Sequence, residues 1–226
     1  LIDITSGNNG STGRPLYGGA EGYNKLSDSQ KENALPIQPG DVKWKDVNGD
    51  GVIDNYDMVK VGNTVPKWTG GFNTELSWKG ISLGIQLEAR YGNKVLNQDR
   101  SLFEADGSYG DSNIWKGALN YWKKPGDTNV LPKPIYNNSS NSSQISTRYL
   151  EDGSYLRIKD ITLAYNLPSK WTKKALMSGV RIYASALNLY TFHNMNYWDP
   201  EHGTTGATII SYPMTRSMIV GVDITF

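Results

Sequence analysis

Gly71-Phe72-Asn73-Thr74-Glu75-Leu76-Ser77-Trp78, then Lys79-Gly80, then Ile81-Ser82-Leu83-Gly84-Ile85-Gln86-Leu87-Glu88-Ala89-Arg90-Tyr91 is the stretch that decides the fold. In the first arm Phe72, Leu76 and Trp78 lie on one side and Asn73, Glu75 and Ser77 on the other. Lys79-Gly80 is a two-residue turn in which Gly80 can take a positive φ. The return arm alternates without a miss: Ile81, Leu83, Ile85, Leu87, Ala89 and Tyr91 against Ser82, Gly84, Gln86, Glu88 and Arg90. Alternation over about ten residues is longer than a typical soluble strand. It fits a tilted strand spanning a bilayer, apolar towards lipid and polar towards a lumen. A hairpin with one face on a soluble core fits as well, so the hairpin alone leaves both readings open.

Composition narrows the classes around that hairpin. The 226 residues hold 23 basic and 22 acidic side chains, for a net charge of +1. That balance gives no reason to expect a nucleic-acid partner. With no cysteine, a disulfide framework and a cysteine-ligated metal are excluded. No run of apolar residues is long enough for a transmembrane helix, whereas a barrel needs none, because half of each strand faces a wet interior. The polar, glycine-rich opening is no signal peptide, so an exported protein is expected to have lost its N-terminus or to include this chain as a later piece. Tyrosine (14) and tryptophan (7) outnumber phenylalanine (4), which suits interfaces where one ring edge is wet.

Upstream of the hairpin, residues 1 to about 40 read as loop with one helical turn near Ser27 to Glu32. Residues 46–57 then have the spacing of a twelve-residue calcium loop. Asp46, Asn48, Asp50, Asp54 and Asp57 supply side-chain oxygens and Val52 a backbone carbonyl, while Gly51 makes the sharp turn and Ile53 anchors inward. Asp57 replaces the usual glutamate at the last position, and its shorter arm reaches an ion with one oxygen or needs a shift of the chain. Crowded carboxylates without a cation repel one another, which favours Ca²⁺ over an ion-free Asp/Asn/Gly-rich turn. A single copy without flanking amphipathic helices suits a staple for a long loop, not a sensor.

Downstream, residues 93–154 are a long connection, with a short helix expected from Asn113 to Trp122 and a flexible tract at residues 137–143. Trp115, Tyr121, Trp122 and Tyr136 are expected to form that loop's own small core ahead of a sugar-stacking site. A third strand starts at Tyr155. Leu156 and Ile158 fall out of phase with Ile161, Leu163 and Tyr165, which a bulge or burial against loops would reset. Ser169 to Met177 reads as a short helix with Pro168 at its start and Gly179 past its end. Val180 to Phe192 is a strand whose faces are ambiguous, residues 191–215 a second long loop, and the last strand alternates Met218, Val220, Val222, Ile224 and Phe226 with polar and small neighbours.

Links between strands are two, about sixty, about fourteen and about twenty-five residues long, short alternating with long. A transmembrane barrel has this pattern, with short periplasmic turns and long outer loops. Trp78, Tyr165 and Trp171 then fall near the inner rim, Tyr91 and Phe192 near the outer. The terminal aromatic Phe226, with apolar residues at every second place before it, is similar to the C-terminal recognition signal of bacterial outer-membrane proteins.

The tracts Gln38-Pro39-Gly40-Asp41-Val42-Lys43-Trp44 into residues 46–54, Gly62-Asn63 with Pro66-Lys67, residues 155–168, Ala186-Leu187-Asn188-Leu189, Asp199-Pro200-Glu201 and Ile224-Thr225-Phe226 resemble the SusC/RagA family of TonB-dependent outer-membrane transporters. The resemblance runs in order along almost the whole chain. It implies an all-β fold: about five antiparallel C-terminal strands of a 22-stranded transmembrane barrel whose plug and remaining wall lie elsewhere. Residues 1–68 are then an extracellular loop region with the calcium-like loop, and residues 69–226 barrel strands with long outer loops at 93–154 and 191–215. Phe72, Leu76, Trp78, Ile81, Leu83, Ile85, Leu87, Val220, Val222, Ile224 and Phe226 are the expected lipid-facing set. The implied function is import of a glycan or peptide, with a SusD-like surface lipoprotein as lid, TonB as energy source and the bacterial outer membrane as location. No catalysis is expected: His193 and His202 lack a nucleophile at relay spacing, and Glu88 and Arg90 share the lumen-facing side. The alternative is a soluble, secreted calcium-dependent docking or carbohydrate-binding β module.

Overall fold

The computed structural model describes residues 55–104, 106–108, 113–128, 130–136, 142–197, 199–201, 207, 212 and 214–226, together with residues 3–4, 16–17, 27–28, 39–42, 44–45, 47–49 and 52–53. Two compact units form. One gathers Leu1–Asn63, Leu96–Leu150 and Thr205–Ile210; the other gathers Thr64–Val95, Glu151–Thr204 and Ser211–Phe226.

The second unit carries the sheet. Its strands are β1 (Trp68–Trp78), β2 (Ile81–Tyr91), β3 (Tyr155–Asn166), β4 (Gly179–His193) and β5 (Ser217–Thr225). They pair antiparallel in the order β5-β4-β3-β2-β1. Among the described residues neither β1 nor β5 has a further neighbour in this sheet, which is open at both edges. The hairpin register runs from Trp68 opposite Tyr91 to Trp78 opposite Ile81. Lys79 takes φ 47° and Gly80 φ 86°, so both central residues have the positive φ of a type I′ turn, whose twist matches the strands it joins. Gly80 is needed twice over: a Cβ there would also stand 2.9 Å from the Asn166 carbonyl oxygen.

A bulge resolves the broken alternation of β3. Gln86 pairs with Asp160 but Leu87 pairs with Ile158, leaving Lys159 as the extra residue. Across β3 and β4 the register slips at the same level, between Leu187 and Tyr190, where Asn188 adopts φ 51°. Asn is among the few residues that tolerate this left-handed conformation. Leu156 and Ile158 thereby join Ile161, Leu163 and Tyr165 on one face, and Tyr190 and Phe192 join Val180, Ile182, Ala184 and Ala186. The expected apolar residues of β1, β2 and β5 share that face.

No apolar core forms beneath it among the described residues. Phe72 is 58% exposed, Leu76 62% and Val220 79%. The buried side chains lie instead on the polar face, with Tyr155, Arg157 and Ala164 among them. Apolar outside and polar inside is the inverse of a soluble sandwich and the pattern of a barrel wall.

In the first unit the helix expected from Asn113 to Trp122 is only a 3₁₀ turn, Lys116–Leu119, capped without a side-chain hydrogen bond. An unexpected helix, α1 (Gln98–Glu104), forms where Asn97 Oδ1 accepts from the Arg100 backbone N–H at 3.0 Å. Trp115 (47% exposed) and Tyr136 (77% exposed) stay outside the small core, whereas Trp122 covers Gly40. After β3 the helix expected to run to Met177 is a single turn, Ser169–Thr172, followed by a 3₁₀ turn, Lys173–Ala175. Leu176 takes the left-handed cap at φ 59°, and Gly179 already begins β4.

Gly80→Ala is expected to cost about 1–2 kcal/mol through backbone strain alone. In the full-length barrel it should lower the temperature at which the folded band disappears from unheated-gel assays. Lys79→Gly, which removes a Cβ from the other positive-φ position, should leave that temperature unchanged or raise it.

Candidate functional site

The polar face of the sheet carries hydrogen-bonded clusters across β2 to β5. On β2 and β3, Glu88 accepts from the Tyr155 hydroxyl at 2.8 Å and from Lys159 Nζ at 2.5 Å, with Arg90 3.9 Å away. The expected Glu88/Arg90 pair is therefore one edge of a larger cluster. On β3 and β4, Thr162 Oγ1 lies 2.8 Å from Asp160 Oδ1, and Ser185 Oγ donates to Asp160 Oδ2 at 2.9 Å. At the turn end, Arg181 meets Asp223 at 3.3 Å across β4 and β5.

The strongest feature is Arg157, fully buried on that face. Its guanidinium forks to Asp199 and Glu201, and Nε donates to Thr191 Oγ1 at 2.9 Å. Asp199 Oδ1 also accepts from the Glu201 backbone N–H at 2.9 Å, and Pro200 between them is buried. Asp199-Pro200-Glu201 thus folds back from the loop after β4 and clamps onto the wall. Charge-assisted forks of this kind fix geometry as well as contribute energy. Beside it, Glu151 takes both the Asn196 backbone N–H at 2.8 Å and its Nδ2 at 3.0 Å. The Asp199-Pro200-Glu201 motif was legible in the sequence; Arg157 was hidden by the phase break that Lys159 creates.

Within the first unit, a second charged knot closes residues 96–150. Arg148 donates to Glu104 at 2.8 Å, to Asp106 and to the Ser142 carbonyl oxygen, while Arg100 Nε reaches Glu104 at 2.5 Å. Burial works against the Arg148 charge, but the hydrogen bonds to Asp106 and the charges of Asp106 and Glu104 outweigh it and hold its pKa above the usual arginine value. Burial pushes the neighbouring Tyr149 phenol up.

Of the calcium-loop residues, Asp46, Asp50 and Asp54 lie outside the described residues. Val52–Ile53 forms a short strand paired with Leu16–Tyr17. Asp57, fully buried, reaches back ten residues, and its Oδ1 accepts from the Val47 backbone N–H at 2.7 Å. That bond brings the last position of the loop to its start. Asn48 is exposed. His193 is exposed in unit two, and His202 lies outside the described residues.

Arg157→Met is expected to cost about 3–5 kcal/mol, because it leaves Asp199 and Glu201 facing each other without their cation. Limited proteolysis of the full-length protein should show faster cleavage in residues 194–216. Asp199→Asn combined with Glu201→Gln should restore much of the protection.

No family model matches the chain. TonB-dependent receptor P3 of Formosa agariphila is 31% identical over 199 residues, 83% of this chain and 19% of that protein. TonB-dependent receptor SusC of Bacteroides thetaiotaomicron is 22% identical over 204 residues, 86% of this chain and 18% of that protein. The solved structure of the RagAB peptide transporter superposes with a TM-score of 0.67 at 29% identity, over 83% of this chain and 20% of that one. The chain thus spans about a fifth of the length of the relatives it matches. Both curated relatives are named as receptors and the solved one as a transporter, none as an enzyme. Over more than four fifths of its own length, in sequence and in fold, the chain is SusC/RagA-like and homologous to the TonB-dependent receptors.

Proposed function

We propose that this chain forms the C-terminal part of the wall of an outer-membrane importer that takes up glycans or peptides, capped by a SusD-like surface lipoprotein and energised through TonB. One observation carries the reading: an open sheet whose apolar face is exposed and whose polar face carries hydrogen-bonded and charged clusters across β2 to β5. An apolar face of that extent needs a covering of hydrocarbon, and the polar face needs a wet lumen or a plug. The likeness to receptors that include SusC and to a peptide transporter supports import as the activity. A soluble docking or carbohydrate-binding module would leave the same apolar face in water, which speaks against it.

The loop at residues 46–57 binds Ca²⁺ as a structural staple in this reading. Support comes from the ligand spacing and from Asp57, whose carboxylate folds back onto Val47 as closure around an ion requires. In the full-length protein, Tb³⁺ luminescence should report a site that Ca²⁺ competes for. Asp50→Ala should weaken that binding at least about tenfold, since each carboxylate is a direct ligand. Equal affinity in the variant would remove the loop from consideration as a metal site.

Membrane placement is tested at mid-strand. Ile85 pairs with Ile161 on the apolar face, and Ile85→Arg should cost about 2–4 kcal/mol of barrel stability and sharply reduce the folded, outer-membrane fraction of the full-length protein. Gln86→Arg, one residue along on the polar face, should assemble normally. Equal assembly of both variants would overturn the assignment of the two faces. Uptake of labelled oligopeptides and oligosaccharides by cells with and without the full-length protein then decides the substrate class.

A further inference from the structure

Glu88 and Arg157 stand directly opposite each other across β2 and β3 on the polar face, and each is held by other groups. Arg157 forks to Asp199 and Glu201 from the loop after β4, whereas Glu88 accepts from Tyr155 and Lys159. Residues so opposed have Cβ atoms about 5 Å apart, so two long side chains of opposite charge are within reach of each other. Tyr155 touches both already. Its hydroxyl donates to Glu88 at 2.8 Å, and its ring centre lies 5.4 Å from the Arg157 guanidinium carbon. A carboxylate offers about four lone-pair sites, so Glu88 has capacity for a further donor beside Tyr155 and Lys159.

The loop side of the clamp has the marks of an element that can let go. Tyr197, just ahead of Asp199, takes φ 70°, a left-handed conformation that is strained for an aromatic residue. Release lets that strain relax. A cavity of about 310 Å³ adjoins the clamp, with Arg157, Thr191, Tyr197 and Asp199 in its lining, so the carboxylates can draw back without displacing packed side chains. With the loop in place, Arg90, Lys159 and Arg157 balance Glu88, Asp199 and Glu201. With it away, Glu88 is the carboxylate left beside those cations. Asp160, next along this face, lies one pair further down the wall and is engaged by Thr162 and Ser185.

We infer that Glu88 is the second partner of Arg157, and that Asp199-Pro200-Glu201 is a two-position latch worked by the exchange of one guanidinium. In the clamped position Arg157 holds the loop. In the released position the guanidinium swings along the wall to Glu88, and Lys159 passes from Glu88 into water. A cation abandoned at a buried site strongly disfavours such a release, and a carboxylate directly opposite offsets that cost. A group shifts a two-state balance only by pairing better in one state than in the other. Glu88 meets that condition, because its bond to Arg157 exists in the released position alone. The latch involves wall and loop only, so it goes beyond the import reading and is independent of what is imported.

Hydrogen–deuterium exchange of the full-length protein in mild detergent, read by mass spectrometry over residues 194–201, follows the latch, since the Glu201 backbone N–H is bonded to Asp199 in the clamped position. Glu88→Gln removes the second partner, so exchange in that segment should slow about two- to fivefold, the effect of one cross-strand ion pair lost from the released position. Lys159→Gln leaves Glu88 free for Arg157, so exchange there should quicken by a similar factor. Asp160→Asn, on the same face and one pair away, is the control and should match the wild type. Exchange in the β1–β2 hairpin reports that each variant is folded. A Glu88–Lys159 pair that merely braces the wall would move both variants the same way, towards faster exchange. Shifts of one sign in both, unchanged or faster exchange in Glu88→Gln, or slowing by Asp160→Asn in its place each overturn the latch. Should Glu88→Gln fail to fold, Lys159→Gln decides alone: exchange no faster than the wild type rejects the exchange of partners.

Discussion

Side chains on a β-strand change face at every residue, and a wall between two solvents allows no lapse in that rhythm. One unmatched residue would carry all later apolar side chains of a strand to the wrong medium. In β3 the residues on either side of Lys159 are out of step, whereas in β4 Ala186 and Tyr190 keep step across Asn188 and Leu189. The two irregularities sit at the same level of the sheet: β3 holds one residue more there than β2, and β4 one more than β3, so the apolar rows of all three strands stay on one face. Asn188 supplies the left-handed backbone that this needs, where a β-branched residue would be strained. The whole division of the sheet into an apolar and a polar side depends on that paired correction.

The polar side then has a second task, which is to hold loops. Arg157 sits just beyond the bulge and is buried only because Asp199, Glu201 and Thr191 surround it. A buried guanidinium with fewer partners would be costly, so wall and loop stabilise each other. Arg148 plays the equivalent part inside the other unit, where Glu104, Asp106 and Arg100 gather segments far apart in sequence. Both knots are built from arginine, whose planar fork can serve two carboxylates at once.

Much of this was legible in the chain. The hairpin, the strand positions, the alternation of short and long links and the apolar face of β1, β2 and β5 are local, periodic signals, and local signals are what a sequence displays. The type I′ turn was half visible, since Gly80 announces a positive φ whereas Lys79 does not. What stayed hidden depends on partners distant in the chain. The phase of β3 could not be settled without β2 and β4 beside it, and so Arg157 could not be placed. Over the helix expected at Asn113 to Trp122 only a 3₁₀ turn forms, Lys116–Leu119, preceded by Trp115, which gives no side-chain cap. Gln98–Glu104 had little periodic signal and is helical because charged loop residues pack around it.

The two bare margins of the sheet bear on how such a wall is made. The outer sides of β1 and β5 offer rows of amide and carbonyl groups that water can satisfy and hydrocarbon cannot. A ribbon of this kind has no route into a bilayer by itself. On the outer-membrane reading proposed above, it must enter already flanked by its neighbours or have its margins paired as it slides in, so closure of the cylinder and entry into the membrane become a single event.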